Sequence, residues 1–501
     1  MSSRITPSRV LALAGAPGDF FGYSVASAGD VNGDGFADLI VGAYADDVGG
    51  TDAGRAYVYY GGPGADAVAD LTLTGSATDH YFGISVSSAG DVNGDGYGDL
   101  IVGAPDRAYV YYGGPSPDAI ADVVLTGAAP GDLFGWPVSS AGDMNGDGFD
   151  DLIVGAALAG RAYVYYGGPN PDSLPDLTLT GSLRFGSSVA SAGDVNGDGY
   201  SDVIVGSPWA ESAYVYYGGP SADASADLTF TGAAADFMFG FPVATAGDVN
   251  GDGFADVIVG ASGNNVGGFS AGRAYVYYGG PGADAIADLT MTGSECEGFG
   301  WSVASAGDVN RDGFADVIVG APWIQWGDSD ICLNSPHPGR AYIFYGGRRA
   351  DANADITLMG VGAYFSNFGL SVAAAGDING DRFGDVIVGE PDSAFVYEMR
   401  RKVRVDRGGE HRTSSVAPNP FNPSGVLAFT TERPGRVRVR MFDLHGRLVR
   451  TLMETPLLPA GEHEVRIDGW GERGEVLPSG VYFYQVDSPG GTVTGHFAIL
   501  K

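Results

Sequence analysis

Hydrophobic and polar positions along this chain alternate in short runs, and the runs recur as a set. In the first set, Ser24-Val-Ala-Ser-Ala-Gly29 alternates small and apolar residues, and Asp38-Leu-Ile-Val-Gly-Ala43 is continuously apolar. Arg55-Ala-Tyr-Val-Tyr-Tyr-Gly-Gly62 and Asp70-Leu-Thr-Leu-Thr-Gly75 alternate again. Short β-rich runs bounded by Gly, Pro and Asp predict strands. Four strands in a unit of ~50 residues predict one blade of a propeller.

Seven such units are present. A Phe-Gly pair opens each first strand, at Phe21, Phe82, Phe134, Phe185, Phe239, Phe299 and Phe368. The fourth strand follows a Tyr-rich third strand only six times, at 70–75, 122–127, 176–181, 227–232, 288–293 and 355–360. The seventh unit runs out at Ala394-Phe-Val-Tyr-Glu398. The missing strand is expected at the other end of the chain, in Arg9-Val-Leu-Ala-Leu-Ala-Gly15, where it closes the ring and removes an unpaired edge. Val10–Ala14 behind Arg4 and Arg9 also superficially resembles a short signal peptide, and the closure strand is the competing role.

Beyond residue 398 the pattern changes. Residues 399–413 read as a basic linker. From Ser414, alternating runs at Val426–Thr431, Arg436–Asp443, Arg447–Met453, His463–Ile467, Val481–Asp487 and Thr492–Leu500 predict a small antiparallel sandwich. The expected architecture is all-β. A seven-bladed β-propeller (1–398), with an N-terminal strand closing the last blade, precedes the linker (399–413) and an Ig-like β-sandwich (414–501).

The polar segment between first and second strands is the same in each blade, a nine-residue D-x-N-x-D-x-aromatic-x-D loop. The copies are Asp30, Asn32, Asp34, Phe36 and Asp38; Asp91, Asn93, Asp95, Tyr97 and Asp99; Asp143, Asn145, Asp147, Phe149 and Asp151; Asp194, Asn196, Asp198, Tyr200 and Asp202. They continue with Asp248, Asn250, Asp252, Phe254 and Asp256; Asp308, Asn310, Asp312, Phe314 and Asp316; and Asp377, Asn379, Asp381, Phe383 and Asp385. Alternate oxygen-bearing residues on a tight turn converge, and hard cations take oxygen ligands, so up to seven calcium ions are expected. Position 7 would offer its backbone carbonyl. The other reading of such a loop is a metal-free Asx turn, in which the side chains bond their own backbone. Two copies depart from the pattern: Arg311 stands at position 4 of the sixth, and Arg382 at position 6 of the seventh, where the others have Gly. A non-Gly residue in the left-handed region costs about 1–2 kcal/mol.

Charge separates the two parts. The chain carries a net −34. Residues 1–398 hold 12 basic and 50 acidic residues, and residues 399–501 hold 15 basic and 11 acidic. An acidic propeller argues against nucleic acid, which needs a basic footprint. No apolar run approaches the ~20 residues of a membrane helix. The two cysteines, Cys296 and Cys332, fit no zinc pattern. They are either a disulfide pinning the long second-to-third-strand connection of blade 6 or two free thiols. That connection also carries Trp323 and Trp326, candidates for a ligand platform or for packing within the loop. No triad, nucleophile elbow or P-loop is present.

These motifs resemble the FG-GAP family, the seven-bladed propeller of integrin α subunits. The residues that carry the resemblance are the Phe-Gly pairs, the Asp-rich loops and triplets such as Gly103-Ala-Pro105 and Gly320-Ala-Pro322. It implies calcium loops on a lower face and ligand contacts on the opposite, upper face. The C-terminal part is similar to the hook-cap Ig-like domain and the type IX secretion sorting domain. The matching residues are Pro418-Asn-Pro-Phe-Asn-Pro423, Val439-Arg-Met-Phe-Asp-Leu-His-Gly-Arg447 and Ser479-Gly-Val-Tyr-Phe-Tyr484. That similarity implies export and surface attachment.

The expected function is therefore a secreted or cell-surface binding module, not an enzyme, for an extracellular protein or glycan. Variable loops of blades 1, 5 and 6 would meet the ligand. The alternatives are an extracellular lyase, glycosidase or phosphodiesterase on the upper face, and a structural surface-layer component.

Overall fold

The computed structural model describes residues 5–233, 236–322, 332, 338–360, 366–401, 414–417, 425–431, 433–443, 447–467, 470–471, 477–489 and 491–499. The chain divides into two compact units, Met1–Val403 and Arg404–Lys501.

The first unit is a ring of seven four-stranded antiparallel sheets. Blade 1 comprises Phe21–Gly29, Asp38–Ala43, Arg55–Tyr59 and Leu71–Thr74, paired in that order. Its second strand is buried at every position, as are the second strands of blades 2 to 6. A strand covered on both faces needs apolar residues on both, hence the unbroken Leu-Ile-Val runs. The blades approach so closely that a Cβ on Gly42 would lie 2.0 Å from the Gly83 carbonyl oxygen of the next blade. The Phe of each Phe-Gly pair is fully buried. It packs against the third strand's tyrosines; Phe82 meets the Tyr111 ring edge-on at 6.4 Å. The recurrent tyrosines are thus used in blade packing.

The seventh sheet has the order Ile5–Ala14, Ser393–Arg401, Asp385–Glu390, Ser371–Gly376. The N-terminal strand pairs antiparallel with the last, Arg9 opposite Tyr397 and Ala14 opposite Ser393, with a bulge between Arg9 and Leu11. The expected closure is present and longer than expected. It begins at Ile5, and its partner runs beyond residue 398 to Arg401. The extra pairing buries Ile5 and Met399, which explains the extension.

The second unit has a three-stranded sheet of Ser414–Ala417, Gly425–Thr431 and Gly461–Ile467. Its four-stranded sheet has the order Leu448–Leu458, Gly435–Phe442, Gly480–Ser488, Gly491–Ile499. Leu427, Phe429 and Val465 of one sheet share a core with Val439, Tyr484 and Phe497 of the other. Alternation sends Val437, Val439 and Met441 inward and leaves Arg436, Arg438 and Arg440 outside. The unit is a β-sandwich.

Candidate metal loops and the opposite face

Each nine-residue loop is a set of carboxylate-capped turns. In blade 1, Asp30 Oδ1 accepts from the Gly33 and Asp34 N–H groups at 2.8 and 3.0 Å, and Oδ2 from Gly35 N–H at 2.9 Å. Asn32 Oδ1 accepts from Asp34 N–H, and Asp34 Oδ1 from Phe36 N–H. Asp38 is fully buried. Its two oxygens accept from Val31 N–H and Gly61 N–H, both at 2.8 Å. Position 9 therefore ties the loop to the start of the second strand and the end of the third. Blades 2 to 5 repeat the arrangement, as in blade 3 with Asp143, Asn145, Asp147 and Asp151.

The metal-free Asx-turn reading is thus met in the backbone bonds, and among the described residues no three His, Cys, Asp or Glu side chains converge as a metal-holding group. The donor chemistry nevertheless fits a hard cation. The side-chain donors are oxygens that keep lone pairs free, and no Lys or Arg is ion-paired to a loop carboxylate among the described residues. Burial pushes Asp38 up to about 6, with Asp34 and Asp30 adding to the rise and the two N–H bonds opposing it. The same cause brings Asp99, Asp151, Asp202, Asp256 and Asp385 to about 7 and Asp316 to about 8. Buried carboxylates with no compensating charge are costly, and a divalent cation would offset that cost.

The two divergent loops hold their backbone all the same. Arg311 and Arg382 both take positive φ, 59° and 70°. Arg311 turns away from its own loop, stacking over the Phe383 ring at 5.1 Å. Asn310 Oδ1 is left buried with no hydrogen-bond partner, an acceptor that suits a cation. In loop 7, Asn379 donates to Asp385, where the asparagines of loops 1 to 5 reach position 5.

Sequence reasoning gave position 7 only a carbonyl role and missed its ring. A Cβ on Gly33 would sit 2.4 Å from the Tyr97 ring of the next loop. The same contact joins Gly94 to Phe149, Gly146 to Tyr200, Gly197 to Phe254, Gly251 to Phe314 and Gly380 to Phe36. The position-8 N–H also donates to the position-1 carbonyl of the preceding loop, from Gly98 to Asp30 at 2.9 Å and from Ala37 to Asp377 at 3.3 Å. The loops form a continuous belt. The signal was an aromatic residue in all seven copies.

On the opposite face, Cys296 and Cys332 are disulfide-bonded, buried and packed against Phe269. Of the two readings, the disulfide is the one seen. Trp323 and Trp326 lie outside the described residues. A second feature was not foreseen: carboxylates meet the third strand's Arg-x-Tyr. Asp46 accepts from Tyr57 hydroxyl at 2.9 Å and pairs with Arg55. Asp236 accepts from Tyr275 and from Asn264. Glu297 accepts from Tyr342 and pairs with Arg340.

The FG-GAP repeat model matches residues 21–59, 82–115, 134–168, 185–219, 240–277, 299–344 and 368–398. Integrin alpha-5 of Xenopus laevis is 33% identical over 247 residues, 42% of this chain and 22% of that protein. Integrin alpha-PS2 of Drosophila melanogaster is 35% identical over 174 residues, 30% of this chain and 12% of that protein. Human integrin alpha-7 is 42% identical over 157 residues, 30% of this chain and 13% of that protein. The similarity thus spans about a fifth or less of these relatives' length. With one matched repeat in every blade, together just over half of its residues, the chain belongs to the FG-GAP repeat family.

Proposed function

We propose that the protein is an extracellular or cell-surface adhesion module whose calcium-stabilised propeller presents its upper face to a protein or glycan. The observation that carries this reading is the segregation of the two faces. One is a uniform belt of Asp-rich loops. The other holds connections of unequal length, pinned by buried carboxylates and one disulfide. A rigid ring with variable connections on one side is how folds present binding loops. Calcium would be held by the position 1, 3, 5 and 9 side chains and the position-7 carbonyl, and would supply charge neutralisation and rigidity. Similarity to integrin alpha chains supports a binding role. The C-terminal sandwich is proposed to serve secretion or anchoring. No helix among the described residues is long and apolar enough to cross a membrane.

The test is a protein and glycan array probed with and without calcium, repeated with Trp323→Ala and Trp326→Ala. Calcium-dependent capture that these changes weaken is expected. Turnover of a glycan or phosphodiester by the pure protein would instead favour the enzyme reading.

A further inference from the structure

Blade 2 departs from a pattern that blades 1, 5 and 6 keep. Where the third strand opens with Arg-x-Tyr in blades 1, 5 and 6, a carboxylate of the chain accepts from that tyrosine. These are Asp46, Asp236 and Glu297. Blade 2 has the same pair, Arg107 and Tyr109. Two residues before the Phe-Gly pair, where blade 6 carries Glu297 and blade 3 carries Asp132, blade 2 carries His80. Tyr109 hydroxyl meets His80 Nε2 at 3.0 Å, and His80 Nδ1 is buried with no partner. Among the described residues no carboxylate pairs with Arg107, which is exposed.

This blade also has a short connection between its second and third strands, Pro105 and Asp106 alone. The longer connections of blades 1, 5 and 6 have no counterpart here. A hollow of about 410 Å³ remains, lined by Ser76, His80, Pro105, Asp106, Arg107 and Pro130 among others. Its size falls in the range of small-ligand sites, about 300–1,000 Å³. Asp106 carries the hollow's own negative charge, but its carboxylate is turned to Gly131 N–H at 2.8 Å. Burial, then Arg107, lowers the His80 pKa, and the imidazole brings no carboxylate of its own to Arg107. Arg107 adds a guanidinium fork suited to two carboxylate oxygens. Ser76 offers a hydroxyl, and the prolines offer apolar walls.

We infer that this hollow binds the carboxylate of a small external ligand, a sugar acid or a simple dicarboxylic acid, in the place that blades 1, 5 and 6 fill with their own Asp or Glu. The inference goes beyond the adhesion reading and stands apart from it. A polymer array can score nothing while a free acid binds here, and the reverse also holds.

Calorimetry on the full chain with calcium present tests it, using D-glucuronate, D-glucose and succinate. At least one acid should bind, with glucose weaker than the better-bound acid by about tenfold or more, the scale of a lost charged hydrogen bond. Glucuronate far above succinate identifies a sugar acid; equal binding identifies the carboxylate alone. Arg107→Ala, at an exposed position, should weaken binding about tenfold or more. His80→Glu should abolish binding without lowering the melting temperature, because it restores the internal partner that blade 6 has. No binding by either acid, glucose binding as tightly as the better-bound acid, or unchanged binding in Arg107→Ala would each overturn the inference.

Discussion

The two faces of the propeller obey different constraints. On the loop face every connection between first and second strands has the same length, and its contacts to the neighbouring blade lie inside the nine-residue unit. Adding or removing a residue would displace the position-8 N–H from the position-1 carbonyl next door. On the opposite face the connections run from Pro105 and Asp106 in blade 2 to residues 322–339 in blade 6. Contacts to the next blade are made at the ends of the long connections. Phe82 N–H donates to Ala53 carbonyl at 3.1 Å, and Phe299 N–H to Ala271 carbonyl at 3.1 Å. The middle of the connections in blades 1 and 5 is therefore free to differ. Uniformity follows where inter-blade bonds pass through the loop, and variety where they bracket it.

The largest effect is expected from opening the ring. Deleting residues 1–14 would strip the partner from Ser393–Arg401 and expose a long edge. Self-association or loss of the cooperative transition should follow in light scattering and thermal melts. An unchanged, monomeric melt would break the picture of a ring closed by its N-terminal strand. Chelation comes next. A site held at a hundred times its Kd contributes about 2.7 kcal/mol, so stripping several loops should lower Tm for the whole propeller.

The pH dependence sharpens that second test. In chelator, the position-9 carboxylates have folded pKa values of about 6 to about 8, raised above their ordinary 3.8. The folded chain then binds more protons than the unfolded one, so stability falls as pH rises from about 4 to about 8. Calcium should flatten this slope. A chelated protein that becomes more stable as pH rises over that window would contradict the burial of uncompensated charge.

A smaller effect is expected on the other face. Cys296 and Cys332 are separated by 36 residues in sequence. Loop closure of that length stabilises by at most about 3–4 kcal/mol. Reducing the bond should loosen the blade-6 connection and leave the loop belt intact. Hydrogen exchange should rise around Phe269 and Glu297 and stay unchanged at Asp30–Asp38. A rise spread over all seven loops would erase the distinction between the faces.

The repeat, the blade count and the closing strand were legible because each rests on local periodicity. Phe-Gly, the apolar run and the Tyr-rich run each report their own strand, and counting them exposed the missing one. The Asp-rich loops were legible as candidate ligands for the same reason. What was not legible depends on neighbours distant in sequence. Phe36 gives no sign that it packs on Gly380, because that contact exists only once the ring has closed. Asp236 and Glu297 carry no local signal that the fold buries them against Tyr275 and Tyr342. The extension to Ile5 was missed because Ile5-Thr-Pro-Ser lacks alternation, and its pairing depends on the partner strand.

The smallest predicted effect isolates the belt contact from backbone strain. Gly33 and Gly35 both take left-handed φ, 76° and 88°. A Cβ on Gly35 would meet nothing within 4 Å, while one on Gly33 would drive into the Tyr97 ring. Gly35→Ala should cost about 1–2 kcal/mol from conformation alone. Gly33→Ala should cost that and more, since Tyr97 must move and its packing is lost. Urea denaturation of the pair at saturating calcium gives the difference directly. Gly33→Ala in a Tyr97→Ala background should then fall back toward the Gly35→Ala cost, because the clash is gone. Equal losses in the two single variants would mean that the aromatic wedges contribute nothing and that the belt is held by its backbone bonds alone.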